Sequence, residues 1–324
     1  MDAALLPTAA DVAAAAERLA GVVERTPLVE FPSGDARVEL RLKLECLQVT
    51  GSFKARGAWN QLAQLEAGAR GVVATSSGNH GKALAWAAER AGVPATIVMP
   101  ANAYPNKIQA CRDHGAEVVL ARDRMHAEEL AAELVAGGLT LVHPYDSART
   151  IQGAGTVGRE VAEAWPELDV FLAPVGGGGM LAGSALALRA ALGERVAILG
   201  VEPEGAPTLG LALARGAPVV LESITTCVQG LCPPSLGARN LAVLQTARVG
   251  ALALDDATIL DAQRRLVREG GWVVEPAGAA AVAAVLAGRL PEALLAGAGP
   301  GRPLRVACVV SGGNPDPAQL ESIR

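Results

Sequence analysis

The sequence predicts an α/β fold made of two doubly wound parallel-sheet units. Short apolar runs and helical stretches alternate along most of the 324 residues, which is the order of βαβ construction. The runs are compact and apolar along their length, as strands of a helix-covered parallel sheet are. Several end in glycines and small hydroxyl residues, the composition of ligand loops at the carboxyl ends of such strands.

Taken in order, residues 9–24 (AADVAAAAERLAGVVE) have amphipathic helical spacing, and Thr26-Pro27-Leu28 ends that helix ahead of an extended segment. Residues 37–46 (RVELRLKLEC) alternate polar and apolar as a half-buried strand does, with Lys43 on the polar side. After a turn at Gly51 a helix starts near Phe53. Strand 71–75, helix 80–91, strand 95–99, helix 105–114, strand 116–120, helix 125–136 and strand 139–142 follow. The alternation resumes with helix 153–164, strand 169–175, helix 180–192, strand 196–201, helices 256–269 and 277–287, and strand 304–310. Residues 204–250, rich in Gly and Pro with weak periodicity, read as a connecting region.

Composition narrows the function. With 51% hydrophobic residues the chain can bury a large core. Its net charge is −5, and no run of Lys and Arg could follow a phosphate backbone, so nucleic acid is not an expected partner. The longest apolar runs, such as Ala277 to Gly288, are too short to cross a bilayer. The start, Met-Asp-Ala-Ala, reaches Asp11 and Glu17 without a basic flank and apolar centre; it does not read as a signal peptide, and the expected location is cytoplasmic. Five cysteines (46, 111, 227, 232, 308) form no C-x-x-C pair and read as reduced, mostly buried thiols. Lysine is scarce: Lys43, Lys54, Lys82 and Lys107 are the only four.

Four motifs carry chemistry. Gly176-Gly177-Gly178-Gly179-Met180 follows an apolar strand and opens a helix, where bare backbone N–H groups and the helix N-terminus can cradle a phosphate. Gly177-x-Gly179-x-x-Ala182, with Glu202 ending the next strand, also fits a dinucleotide fingerprint and keeps an oxidoreductase as the rival class. Gly153-x-Gly155-x-x-Gly158 fits the same expression but follows a polar, loop-like stretch instead of a strand, so it reads as a glycine-containing helix. Ser76-Ser77-Gly78-Asn79-His80 ends a strand and can hold a carboxylate, or simply cap the helix that follows. Ser311-Gly312-Gly313-Asn314 presents another hydroxyl at a strand end. A phosphate cup combined with a lysine behind the Gly51-Ser52-Phe53 turn points to pyridoxal phosphate, and Lys54 is the best placed of the four lysines to bond it.

With these motifs in this order, the chain resembles the fold-type II pyridoxal phosphate enzymes, specifically the serine/threonine dehydratase and serine racemase group. The resemblance runs from Arg25-Thr26-Pro27-Leu28 to Asn314, and Ser52-Phe53-Lys54-x-Arg56-Gly57-Ala58 favours this group over cysteine synthases. It implies the tryptophan synthase β-like architecture, with residues 1–68 and 149–324 as a large cofactor domain and 69–148 as a small domain closing over the substrate. It implies that Lys54 forms the Schiff base and acts as base, Phe53 packs on the pyridine, Asn79 bonds the ring oxygen, Gly176 to Met180 bind phosphate and Ser311 meets the pyridine nitrogen. Ser76, Ser77, Asn79 and His80 would surround the substrate carboxylate, and Ser77 would supply the opposite-face proton in a racemase. The implied activity is α,β-elimination from L-threonine or L-serine to a 2-oxo acid and ammonia, by a homodimer or homotetramer. Racemisation, or a β-hydroxy substrate such as phenylserine or hydroxyaspartate, is the alternative.

Two departures stand out. Relatives with a divalent cation (Mg or Ca) place a Glu, a backbone carbonyl and an Asp after the glycine cup; Glu202 and Ala206 fit, but Thr208 stands at the Asp position, which weakens the site. A family Asp-Gly is Gln229-Gly230 here. The end of the chain soon after Asn314 also carries an expectation of no isoleucine feedback.

Overall fold

The computed structural model describes residues 6–324; Met1 to Leu5, on which part of the leader reading rests, lie outside them. Two sheets form. The larger has six strands in the order β1 (Leu28–Phe31), β2 (Val38–Lys43), β10 (Leu304–Val309), β7 (Val170–Pro174), β8 (Ala197–Pro203) and β9 (Gly250–Leu254). All its neighbours pair in parallel except the β1–β2 edge hairpin. The smaller has four parallel strands in the order β5 (Glu117–Ala121), β4 (Ala95–Pro100), β3 (Val72–Thr75) and β6 (Thr140–Leu141).

Helices cover both faces of each sheet. On one side of the larger sheet lie α10 (Asp256–Arg268) and the apolar α11 (Pro276–Leu286), on the other α6 (Ala148–Ala164) and α7 (Gly179–Leu192), each side with its own buried cluster. The smaller sheet is flanked by α3 (Asn79–Ala91), α4 (Pro105–Arg112) and α5 (Arg124–Ala136). Among the described residues no helix is long and apolar enough to cross a membrane.

The glycines at 153, 155 and 158 lie inside α6 and make a packing seam. A methyl on Gly155 would come within 2.6 Å of the Gly183 carbonyl oxygen of α7, and one on Gly158 within 2.6 Å of Ser184 Cα. The seam explains the false dinucleotide match: the glycines serve helix contact, not a ligand.

Several boundaries differ from expectation. The helix expected over 9–24 is α1 (Ala9–Leu19), which stops because Ala20 leaves the helical region at ψ 127° and Gly21 takes φ +71°. α6 starts at Ala148, five residues early, because the Ser147 hydroxyl accepts from Thr150 N and caps it. The supposed connecting region contains α8 (Thr208–Arg215), α9 (Ala238–Thr246) and β9, elements too short for periodicity to register. Lys43, expected on a polar strand face, is buried instead. That face is covered by the end of α6, where Lys43 Nζ meets Glu160 Oε2 at 2.5 Å and Arg41 stacks over Trp165.

Candidate active site

Between the two sheets, strand ends from both converge. Lys54 opens α2 (Lys54–Leu62), directly after Phe53, whose N–H donates to the Ser311 carbonyl at the end of β10. The Lys54 amine lies 4.9 Å from the Phe53 ring centre and donates one hydrogen bond, to the Pro144 carbonyl at 2.7 Å. No carboxylate among the described residues neutralises it, and burial pushes its pKa down to about 8.

Behind α2 a buried ion network anchors this turn. Arg56, fully buried, donates to both oxygens of Glu45 at 2.8 Å and to Glu160 at 2.6 and 3.0 Å; Lys43 shares Glu160. Burial, the largest single influence, would raise the Glu45 carboxyl, but the charge and hydrogen bonds of Arg56 together with Lys43 and Thr26 hold the group below its ordinary value.

Pro144 leads to Tyr145, which sits against the glycine run. A methyl on Gly177 would strike the Tyr145 ring, and one on Gly179 would come within 2.6 Å of the Tyr145 carbonyl oxygen. Gly178 has φ +91°, a conformation costly for any side chain. Three carbonyls of the run are taken up within the protein: Gly176 accepts from Thr208 Oγ1, Gly177 from Gly237 N and Asn240 Nδ2, and Gly178 from Ala182 N in the first turn of α7. The N–H groups of Gly177 and Gly178 donate no hydrogen bond to any described residue. Pinned carbonyls and free amides at the start of α7 make an anion cup. The predicted cup residues Gly176, Gly177, Gly178, Gly179 and Met180 are therefore brought together, one contact away from Lys54 through Pro144 and Tyr145.

The Ser76–His80 loop faces the cleft from β3 and α3. Ser76 Oγ accepts from Gly78 N and Gly81 N, so it shapes the loop, while the Ser77 side chain is exposed and takes no hydrogen bond among the described residues. Asn79 spans the two sheets, donating to Glu275 Oε1 at 2.5 Å and accepting from Asn314 Nδ2 at 2.8 Å. His80 is buried. Its Nε2 lies 2.9 Å from the Val142 carbonyl, its Nδ1 has no partner, and burial beside Lys54 pushes its pKa down to about 3. It is a neutral wall of the cleft beside Lys54. Ser311 is buried with its hydroxyl 3.5 Å from the Ala277 carbonyl of α11.

Glu202 is held within the fold by α8. Its two oxygens accept from Leu209 N (2.7 Å) and Gly210 N (2.8 Å), the first amides of α8, and so it is not free to hold a ribose. Asn240, Tyr145 and Glu275 carry no motif of their own in the sequence, and Asn314 stands there only as the end of the Ser311 motif. Asn240 hid in the weakly periodic stretch, whereas His143-Pro144-Tyr145 ends β6 and the strand-end rule could have flagged it.

The residues fit pyridoxal phosphate: a glycine run that opens α7 with its Gly177 and Gly178 amides unpaired among the described residues, a desolvated amine nearby, and buried unpartnered atoms at Ser52 Oγ and His80 Nδ1. Fold and site together define an α/β enzyme with an anion cup beside a reactive amine. Residues 19–312 match the family of pyridoxal-phosphate dependent enzymes, and the chain belongs to that family. It is 36% identical over 323 residues to the L-threonine ammonia-lyase of Thermotoga maritima, covering 98% of this chain and 78% of that one. It is 36% identical over 321 residues to the L-threo-3-hydroxyaspartate ammonia-lyase of a Pseudomonas species, covering 97% of each. The serine racemase structure of maize superposes with a TM-score of 0.90 at 33% identity, covering 98% of this chain and 96% of that one.

Proposed function

We propose that this chain is a pyridoxal phosphate-dependent ammonia-lyase that converts L-threonine or L-serine to a 2-oxo acid and ammonia by α,β-elimination. The observation that carries the reading is the cup with its carbonyls pinned within the protein, set beside the desolvated Lys54 amine. The ammonia-lyases among its relatives support the reaction class.

When bound, the cofactor supplies the electron sink that makes the substrate α-proton acidic. The chain's residues do the rest. The cup amides and the α7 N-terminus hold the phosphate. Lys54 Nζ, with its lowered pKa, takes the proton from Cα as general base. The N-terminus of α3 and the Ser77 hydroxyl receive the substrate carboxylate, and Asn79, fixed by Glu275 and Asn314, bonds the cofactor ring oxygen. Phe53 would pack against the ring, and Ser311 would meet its nitrogen without forcing a proton onto it. The proton that Lys54 has taken can leave with the β-hydroxyl as water, and the released enamine tautomerises to an imine that water hydrolyses to the 2-oxo acid and ammonia.

Racemisation is the second reading, favoured by the unengaged Ser77 hydroxyl. We also propose that residues 69–148 form the closing domain, and that the enzyme works as a cytoplasmic homodimer or homotetramer, which light scattering decides. The central test is a panel of β-hydroxy amino acids scored for 2-oxo acid and for the opposite enantiomer. Protein purified with the cofactor should be yellow, and borohydride should fix the cofactor on Lys54. A colourless protein making no 2-oxo acid from any panel member ends the proposal.

A further inference from the structure

Glu202, Ala206 and Thr208 do not fit a divalent cation. Both Glu202 oxygens already accept backbone amides of α8, and the Ala206 carbonyl accepts from Thr208 N at 2.9 Å. Thr208 brings no charge, and its fully buried hydroxyl donates to the Gly176 carbonyl at 3.3 Å. Among the described residues, no cluster of His, Cys, Asp and Glu could hold a metal ion.

These commitments share one purpose. Glu202 lies in β8 and clamps the first turn of α8, where its carboxylate faces two otherwise unpaired amides and the positive end of the helix dipole. The clamp fixes Thr208, the first residue of that helix. Thr208 in turn pins the first carbonyl of the glycine cup, as Asn240 and Gly237 pin the second. A pinned carbonyl keeps its peptide plane oriented, so the next amide, Gly177 N–H, points toward the cleft.

We propose that Thr208 is a positioning residue for the phosphate cup, set by the Glu202 clamp, and that this bracket replaces a cation, so the enzyme binds its cofactor without one. The inference rests on the reading of the cup as the phosphate site. A hydroxyl-to-carbonyl hydrogen bond contributes modestly, so its loss should weaken cofactor retention about 3- to 10-fold.

The test uses the purified holoenzyme. After exhaustive EDTA treatment, its thermal midpoint and its cofactor absorbance on dialysis should be unchanged, and millimolar Mg2+ or Ca2+ should alter neither. Thr208→Val should lose cofactor several-fold faster, Thr208→Ser should retain it like wild type, and both should keep the wild-type far-UV dichroism. A wild-type protein that EDTA strips of cofactor and Ca2+ or Mg2+ restores would overturn the proposal, as would Thr208→Val with undiminished retention. Terbium luminescence on the cofactor-free protein judges the cation half separately: saturable binding counts against it. A wild type that takes up no pyridoxal phosphate sinks the functional reading instead, a result distinguishable from any cation effect.

Discussion

At the residue scale the chemistry depends on what surrounds two cations of one short helix. Lys54 is desolvated and nearly alone, whereas Arg56, two residues on, is saturated with carboxylates. A lysine amine is nucleophilic only when neutral, and a depressed pKa means it is neutral above the lowered value. Capture of pyridoxal phosphate by the cofactor-free protein should therefore speed up as pH rises through about 8 and level off above it, not near the ordinary 10.5. Stopped-flow absorbance across pH measures this; a rate still climbing beyond pH 10 would contradict an enclosed amine. Arg56→Leu leaves Glu45 with only the Thr26 hydroxyl and Glu160 with only Lys43, and the break should cost about 3–5 kcal/mol. The sign with pH follows. In wild type the paired Glu45 stabilises above its unfolded pKa and that contribution fades in acid. In the variant burial raises its pKa with Arg56 no longer there to oppose it, so acid relieves the penalty. The gap in thermal midpoint between the two should narrow as pH falls from 7 to 5.

At the element scale the sequence is legible where a strand or helix is long and periodic, and the site is legible where the motif is backbone-driven. The glycine run declared itself because four bare residues at a strand end have few other uses, and the expected strands of both sheets all form. The Gly153 to Gly158 reading also holds, since those residues lie within α6. What stayed hidden were contacts between distant segments. Thr208, Asn240 and Glu275 act through partners 32, 63 and 196 residues away, and no local period encodes such pairings. Lys43 misled for the same reason, because alternation reports a polar face without saying that α6 covers it. The α6–α7 seam yields its own prediction. A methyl at Gly183 would collide with the Ile151 carbonyl, so Gly183→Ala should lose roughly 1–3 kcal/mol by overpacking, more than the helix propensity it gains. Gly288→Ala, with open space but φ +64°, is a control in which only backbone strain acts.

At the scale of the whole molecule, the two sheets meet through α2, whose Ala58, Trp59 and Leu62 join the apolar cluster of the small sheet, and across the cleft through polar contacts. The buried clusters of the large sheet and those of the small one are separate sets. Across the cleft run Asn79 to Glu275, Lys82 and Lys107 to Asn314, and Gln229 to Tyr104. Polar links of this kind exchange readily with water and give little resistance to rigid-body movement, whereas each sheet is locked by its own core. A ligand that touches both sides should thus bring the four-stranded unit toward the six-stranded one without altering either interior. In hydrogen exchange, the holoenzyme given a non-reacting amino acid analogue should gain protection at residues 76–82 and at the start of α4, where those bridges lie. The interior strands β7, β8 and β10 should exchange at the same slow rate with and without it. Lys107→Ala should lower the analogue's effect on the α4 segment while leaving those strands untouched. Protection that spread equally through both sheets would mean that the ligand tightens one cooperative body, and the hinge between two units would have to be abandoned.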